Sequence, residues 1–319
     1  LKIEYFLKFP VKKAVIIICG PTAVGKTPVA ISLAKHFHTE IISADSRQCY
    51  KELNIGVARP SEKELKEVPH HFIASHPVAT GPVAENIHAA FFGKYALQKV
   101  NELFIKHDVV IMAGGTGLYI KAFCEGLDDV PEINPEVRKT IVTNYNNGGI
   151  EWLRAQVEKH DPLFFMKGEM QNPQRMMRAL EVKLSTGHSL LSFHTRKKRK
   201  RDFNIVKIGL LLPKEELYRN IDARVDKMME QGLVQEVKSL QQYRQLNALQ
   251  TVGYSEIFQY LDGSISLPAA IEEIKKNTRR YAKRQMTWFR KNKEIKWFSP
   301  LQAGEIILYT EKILHEGDL

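Results

Sequence analysis

The chain is poor in cysteine. Only three occur in 319 residues, Cys19, Cys49 and Cys124, and they lie far apart. No metal-ligand spacing joins them, which argues against a disulfide scaffold or a zinc site and for a reducing compartment. Long apolar runs are missing too, since none approaches the roughly 20 residues needed to cross a bilayer. The opening "LKIEYFLKFPVKK" has no signal-peptide core, and the "AVIIIC" after it is too short to be one. A cytoplasmic protein with no membrane partner is therefore expected; the chain begins at Leu1 rather than Met, so a trimmed start is expected as well. Internal repeats are absent, and the one biased stretch is the basic "RKKRKRD" (196–202), which reads as a mobile loop giving unspecific attraction. Acid is in short supply: 36 Asp and Glu stand against 47 Lys and Arg, a net charge of +11. Such a surplus favours a polyanionic partner, most simply nucleic acid. The 44% hydrophobic and 26% charged content is that of an ordinary globular protein, long enough for one large or two modest domains.

Against this background "CGPTAVGKTPVAISLAKHF" (19–37) stands out. Gly20, Pro21, Thr22, Ala23, Val24, Gly25, Lys26 and Thr27 fit the G-x-x-x-x-G-K-[ST] phosphate loop. The apolar run 14–20 before them reads as a buried strand, and Val29, Ile31, Leu33, Ala34 and Phe37 after them fall at helical spacing. In such a loop the backbone N–H groups form an anion cradle, Lys26 adds a point charge and Thr27 can ligate Mg²⁺. "EIISAD" (40–45) and "VVIMAGG" (109–115) read as further buried strands, the second followed by the helix-like "TGLYIKAFCEGL". Ligands of open parallel sheets sit at the carboxyl ends of strands, so Asp45 and Thr116 are expected on the rim of the phosphate loop. From about residue 126 helical signals take over, until the apolar run 205–212 resumes the strand pattern and helices follow over 213–240 and 267–291. The expected fold is α/β: a P-loop NTPase-like parallel sheet flanked by helices (1–125 plus 205–319), with a mostly helical insertion domain (126–204).

One more absence bears on chemistry. Nucleotide-hydrolysing P-loop proteins usually hold Mg²⁺ and water with an acid at the end of a second apolar strand. Here strand 109–112 runs into "AGGTG", and Asp108 sits at its wrong end. The acid on the correct rim is Asp45, which argues against plain hydrolysis and for another use of a bound diphosphate. On the residues alone Asp45 reads as a general base, a helix N-cap, or a salt-bridge partner of Lys26. Arg224 reads as a surface charge paired with Asp222 or Asp226, Thr116 as the cap of the next helix, and "QNPQR" (171–175) as a turn before a helix. In helix 267–291, Ile271, Ile274, Ala282 and Phe289 share a core-facing stripe. Lys276, Arg280, Lys283 and Arg284 share another side, either solvated or in contact with RNA phosphates.

The blocks "GPTAVGKT", "SADSRQCYKELNIGVARP", "PHHF", "AGGTGLYIKAF", "QNPQRMMRALEV", "GLVQEV", "VGYSE" and "TRRYAKRQMTWFR" occur in an order that resembles the tRNA dimethylallyltransferases, also called tRNA isopentenyltransferases. The resemblance spans Val15 to Phe298. It implies transfer of a dimethylallyl group from dimethylallyl diphosphate to the exocyclic N6 amine of adenosine 37, just 3′ of the tRNA anticodon, with Mg²⁺ required. It implies that residues 20–27 bind the diphosphate, that Thr27 meets the metal, and that Asp45 is the base, helped by Thr116 and by Arg224 on the leaving group. It further implies tRNA contacts from Asp45, Ser46, Arg47, Gln48, Thr116, Arg138, Gln171, Asn172, Pro173, Gln174, Arg175, Gly253, Arg280, Lys283 and Arg284, the insertion clasping the anticodon stem-loop. Val57 and Arg59 depart from the more usual Thr and Lys. The lack of a C-terminal zinc-finger extension suits the bacterial type, and a monomer is expected. The competing readings are a prenyltransferase acting on free adenine nucleotides, a P-loop nucleotide kinase, and an RNA-binding module without catalysis.

Overall fold

Ala14–Cys19 are buried to within 1% exposure, and most of them are β-branched. A stretch apolar on both faces belongs inside a sheet that is covered on both sides. It forms β1, and the strands after it are β2 (Ile41–Ser43), β3 (His70–His71), β4 (Val109–Gly114), β5 (Asn204–Leu210) and β6 (Lys296–Phe298). All pair in parallel, in the order β3–β2–β4–β1–β5–β6. The structure, a computed structural model, describes residues 12–78, 87–195 and 197–316. The opening stretch and Arg196 of the basic run lie outside them.

The order of the strands makes the site. From β1 the chain moves to one edge (β2, β3), returns to fill the gap beside β1 (β4), and builds the other side last (β5, β6). The register levels the carboxyl ends: Cys19 lies opposite Gly114 and Gly209, and Ser43 opposite Ala113. Whatever follows β1, β2 and β4 therefore emerges on one rim, at the switch in strand order where such sheets bind ligands.

The contacts divide the chain into two compact units: residues up to Cys124 together with those from Lys200 onward, and Glu125–Arg199. The first unit holds the sheet with helices α1 (Lys26–His36), α2 (Glu62–Glu67), α3 (Ala89–Leu103) and α4 (Gly117–Glu125, its last residue crossing the border). The second holds α5 (Pro135–His160), α6 (Pro162–Lys167) and α7 (Pro173–Thr186). The chain then returns to the first unit with α8 (Lys214–Glu230), α9 (Leu233–Ser239), α10 (Tyr254–Leu261), α11 (Leu267–Phe289) and α12 (Ala303–Glu316). In the first unit Val29, Leu33, Ile221, Ala282 and Ile306 bring α1, α8, α11 and α12 into one core with β1, β4 and β5. In the second, Ile141, Leu153, Val157, Met176 and Leu180 join α5 to α7. Each of these three α-helices starts the same way: proline in the first turn, preceded by a side-chain cap from Asn134, Asp161 or Asn172. Proline has no N–H to leave unpaired there, and the cap satisfies the amides that follow.

Two expectations need correction. The continuous helix read over 213–240 breaks at Gly232, whose φ of 96° ends one helix and starts the next. Three cations of the basic run are engaged rather than free: Lys198 pairs with Glu125, Arg199 Nη2 meets both carboxylate oxygens of Asp129, and Arg201 donates to the Phe123 carbonyl. None of the three cysteines forms a disulfide, and burial pushes the Cys19 and Cys49 thiols up to about 12. Among the described residues no helix is long and apolar enough to cross a membrane.

Candidate active site

The phosphate loop closes between β1 and α1. Gly25 takes a φ of 96°, a left-handed conformation that glycine adopts without strain. Lys26 Nζ donates to the carbonyls of Gly20 (3.1 Å) and Pro21 (2.7 Å). Burial first, and then the positive charge of Arg224, lower its pKa from 10.5 to about 8, with Asp45 and Cys19 working the other way. The ammonium is thus held short of counter-charge, the state a diphosphate would relieve.

Arg224 reaches this loop from α8, its Nη1 donating to Thr22 Oγ1 at 3.3 Å. Its expected surface partners are engaged elsewhere: Asp222 by Arg279 (2.6 Å) and Asp226 by Lys275 (2.7 Å), both from α11. The reading of Arg224 as a surface ion pair is therefore overturned. Burial draws its guanidinium below the usual arginine range, with Asp45 the largest opposing charge, and arginine stays protonated nonetheless.

Asp45 follows β2. Its Oδ1 accepts from Arg47 N (2.8 Å) and Gln48 N (3.2 Å), closing a turn rather than capping a helix. No ion pair joins it to Lys26 among the described residues. Thr116 is not a side-chain helix cap either. Its hydroxyl accepts from Ser46 N (3.0 Å) and lies 3.4 Å from Ser46 Oγ, so it ties the end of β4 to the Asp45 turn. Gly114 permits this, because any Cβ there would collide with Ala44. Gln48 is a strut: its amide nitrogen donates to the carbonyls of Val57 (3.2 Å) and Ala58 (3.0 Å), and its Oε1 accepts from Ser43 Oγ at 3.3 Å.

Two adjoining cavities meet at these groups. The inner one, about 90 Å³, is lined by Gly25, Lys26, Thr27 and Gln48. The outer one, about 470 Å³, is lined by Ser46, Arg47, Met228, Gly253 and Arg284. Thr22, Asp45, Val57, Ala58, Arg224 and Tyr281 line both. One carboxylate thus borders both the phosphate cradle and a roomier chamber beyond it.

Other expected residues fall elsewhere. Arg280, Lys283 and Arg284 share a surface patch with Trp288, which is 38% exposed. Arg138 and residues 171–175 belong to the second unit. There Asn172 Oδ1 caps α7 through Gln174 N and Arg175 N, while Arg175 pairs with Glu169 at 2.6 Å and Arg138 with Glu181 at 3.8 Å. The turn reading of this segment thus describes its local geometry.

Gln285 and Tyr281 were not singled out from the sequence. Gln285, only 6% exposed, accepts from Thr22 N (2.8 Å) and donates to the Gly115 carbonyl (2.9 Å), bridging the phosphate loop and the β4 turn. The signal was present: a polar residue falls between Ala282 and Phe289 on the core stripe of α11, where it must find partners. Tyr281 is pushed up to about 12 by burial and, secondarily, by Asp45, and so remains a neutral phenol.

Known proteins resemble this chain in sequence and fold. A family model for IPP transferase matches residues 48–292. The tRNA dimethylallyltransferase 1 of Bacteroides thetaiotaomicron is 46% identical over 92% of this chain and 94% of its own. The tRNA dimethylallyltransferase of Cytophaga hutchinsonii is 46% identical over 96% and 99%. Among solved structures, the tRNA isopentenylpyrophosphate transferase of Bacillus halodurans superposes with a TM-score of 0.69 at 34% identity, covering 96% of this chain and 98% of that one. A eukaryotic dimethylallyltransferase acting on tRNA superposes with a TM-score of 0.75 at 25% identity, over 94% and 78%.

Proposed function

The chain belongs to the IPP transferase family, and from that premise we propose that it moves a dimethylallyl group from dimethylallyl diphosphate to N6 of adenosine 37 in tRNA. The observation that carries this reading is the shared wall: Asp45 and Arg224 border both the cradle and the outer chamber. The donor's diphosphate enters the cradle, where the loop amides, Lys26 and Arg224 hold it. The acceptor adenine enters from the outer side. A base inside a stacked anticodon loop is out of reach of such a chamber, so the nucleotide is flipped out of the stack.

N6 of adenine is a weak nucleophile because its lone pair is delocalised into the ring. As the bond from N6 to C1 of the allyl group forms, the bond from C1 to the diphosphate oxygen breaks and its electron pair leaves with the diphosphate. The N6 proton passes to Asp45 as this happens. Lys26, Arg224 and the loop amides oppose the charge that develops on the leaving oxygen. Through Ser46, Thr116 keeps the Asp45 turn beside the cradle.

The residues present fit Mg²⁺. Thr27, whose side chain carries a hydroxyl, lines the inner cavity, and no three-residue cluster of His, Cys, Asp or Glu suited to a metal exists among the described residues. That donor set suits an ion taking most of its ligands from phosphate and water. Bound there, it would spread the negative charge of the diphosphate. The exposed patch of Arg280, Lys283, Arg284 and Trp288 offers phosphate contacts and a stacking surface for RNA, and residues 138 and 171–175 add contacts from the second unit. The cytoplasm, where tRNA is handled, is the proposed compartment.

The test is to incubate the protein with Mg²⁺, dimethylallyl diphosphate and either unmodified tRNA or AMP, and to weigh the products. A gain of one dimethylallyl unit on tRNA alone is expected. A gain on AMP would favour a free-nucleotide prenyltransferase, and phosphate transfer from ATP to a nucleotide would favour a kinase.

A further inference from the structure

Asn54–Ala58 forms part of the wall of both cavities through Val57 and Ala58, yet belongs to no helix or strand. Ala58 sits at a φ of 48°, a strained value for a residue other than glycine. Such backbone persists only where its surroundings hold it. Ala58 is held by its own N–H to the Ile55 carbonyl and by the Gln48 amide on its carbonyl, and the residues before it are held by one carboxylate far away in sequence. Glu236 of α9 accepts from three successive amides: Asn54 N (3.2 Å) and Ile55 N (2.7 Å) on Oε2, and Gly56 N (3.0 Å) on Oε1. Oε1 also accepts from the Tyr254 hydroxyl at 2.6 Å. Tyr254 is fully buried, and its ring lies so close to Gly56 that a Cβ there would stand 2.5 Å from Cε2.

All four of these donors are uncharged, so the carboxylate is satisfied by geometry rather than by an ion pair. Hydrogen bonds to a charged acceptor are the stronger kind, and three on consecutive amides fix a loop in position as well as in place. The chain of contacts runs on in both directions. The carbonyls of Val57 and Ala58 receive the Gln48 amide, and Gln48 N is held in turn by Asp45. On the other side Tyr254 follows directly on Gly253, which lines the outer chamber.

We propose that Glu236 is a positioning residue for the transfer. Through the wall 54–58 and Gln48 it sets Asp45, and through Tyr254 it keeps that wall in register with the 250–253 segment of the outer chamber. This rests on the function proposed above, and two readouts separate them. Glu236→Gln keeps size and polarity but turns an amide N–H toward at least one loop N–H in either rotamer. In the full chain it should lower kcat about tenfold, leave KM for dimethylallyl diphosphate within twofold, and speed hydrogen exchange in residues 45–58. Tyr254→Phe keeps the ring against Gly56 and should lower kcat about threefold; the double variant should lose less than the product of the two. Variants with kcat within twofold of the parent, or with KM for the diphosphate rising in step with a fall in Tm, would overturn the inference. Absence of transfer by the parent would count against the proposed function, and the exchange result would then decide the role of Glu236.

Discussion

Lys26 carries the sharpest consequence of the residue-scale chemistry. Its pKa in the free protein falls from 10.5 to about 8, first through burial and then through Arg224. The ammonium is therefore about half deprotonated near pH 8. A diphosphate in the cradle favours the charged form and raises the pKa again, so binding above pH 8 must take up a proton and weaken as pH rises. Calorimetry of pyrophosphate binding at pH 8.5, in two buffers of different ionisation heat, should show net uptake; identical heats would contradict the shift. Gln285 makes a second case. Gln285→Leu leaves Thr22 N and the Gly115 carbonyl without their partner, an expected loss of about 1–3 kcal/mol. A thermal melt should show lower stability, with a raised KM for the diphosphate; an unchanged melt would mean that water replaces the amide. Residues of this kind are hard to read in a sequence, because each is defined by a partner in a distant segment. Lys26 and Thr27 were legible from a local pattern. On the residues alone Arg224 reads as a surface charge, and only the resemblance brings it to the diphosphate; in the structure Arg279 and Lys275 hold its neighbouring acids.

Among the elements, α11 does three jobs with three faces. Ile274, Ala282 and Phe289 enter the core, Tyr281 and Gln285 border the site, and Arg280, Lys283 and Arg284 form an exposed patch with Trp288, Arg284 also lining the outer chamber. Replacing those three cations by alanine should weaken tRNA binding and flatten its dependence on salt by about two to three in log–log slope, if each meets a phosphate. Filter binding from low to moderate salt measures this, and an unaltered slope would return the face to solvent. The elements with strong buried runs, β1, β4 and β5, and the amphipathic α1, were readable because burial on both faces or on one stripe leaves a pattern. β3 and β6, two and three residues long, are too short to leave one. The break at Gly232 was hidden because the apolar spacing of "GLVQEV" continues that of the preceding helix while a single φ turns the chain.

At the scale of the whole molecule, the surplus of 11 positive charges pointed toward a polyanion, but charge did not locate the site. In the most basic run, 196–202, Lys198, Arg199 and Arg201 are engaged with Glu125, Asp129 and the Phe123 carbonyl. What located the site was the order of the strands, which sets the phosphate loop, Asp45 and Thr116 on one rim by register. The sequence could suggest the rim but not the two cavities that meet at Asp45, since those depend on Val57, Arg224 and Tyr281 arriving from separate segments. The central claim is that this shared acid takes the proton of the acceptor amine while the cradle holds the leaving diphosphate. Asp45→Asn tests it most directly, because the amide oxygen can still accept from Arg47 N and Gln48 N and keep the turn. In single-turnover transfer to tRNA followed by mass, the account predicts a loss of about 10²–10⁴-fold in rate with binding of tRNA and pyrophosphate retained. A variant that prenylates tRNA at the parent's rate would contradict it.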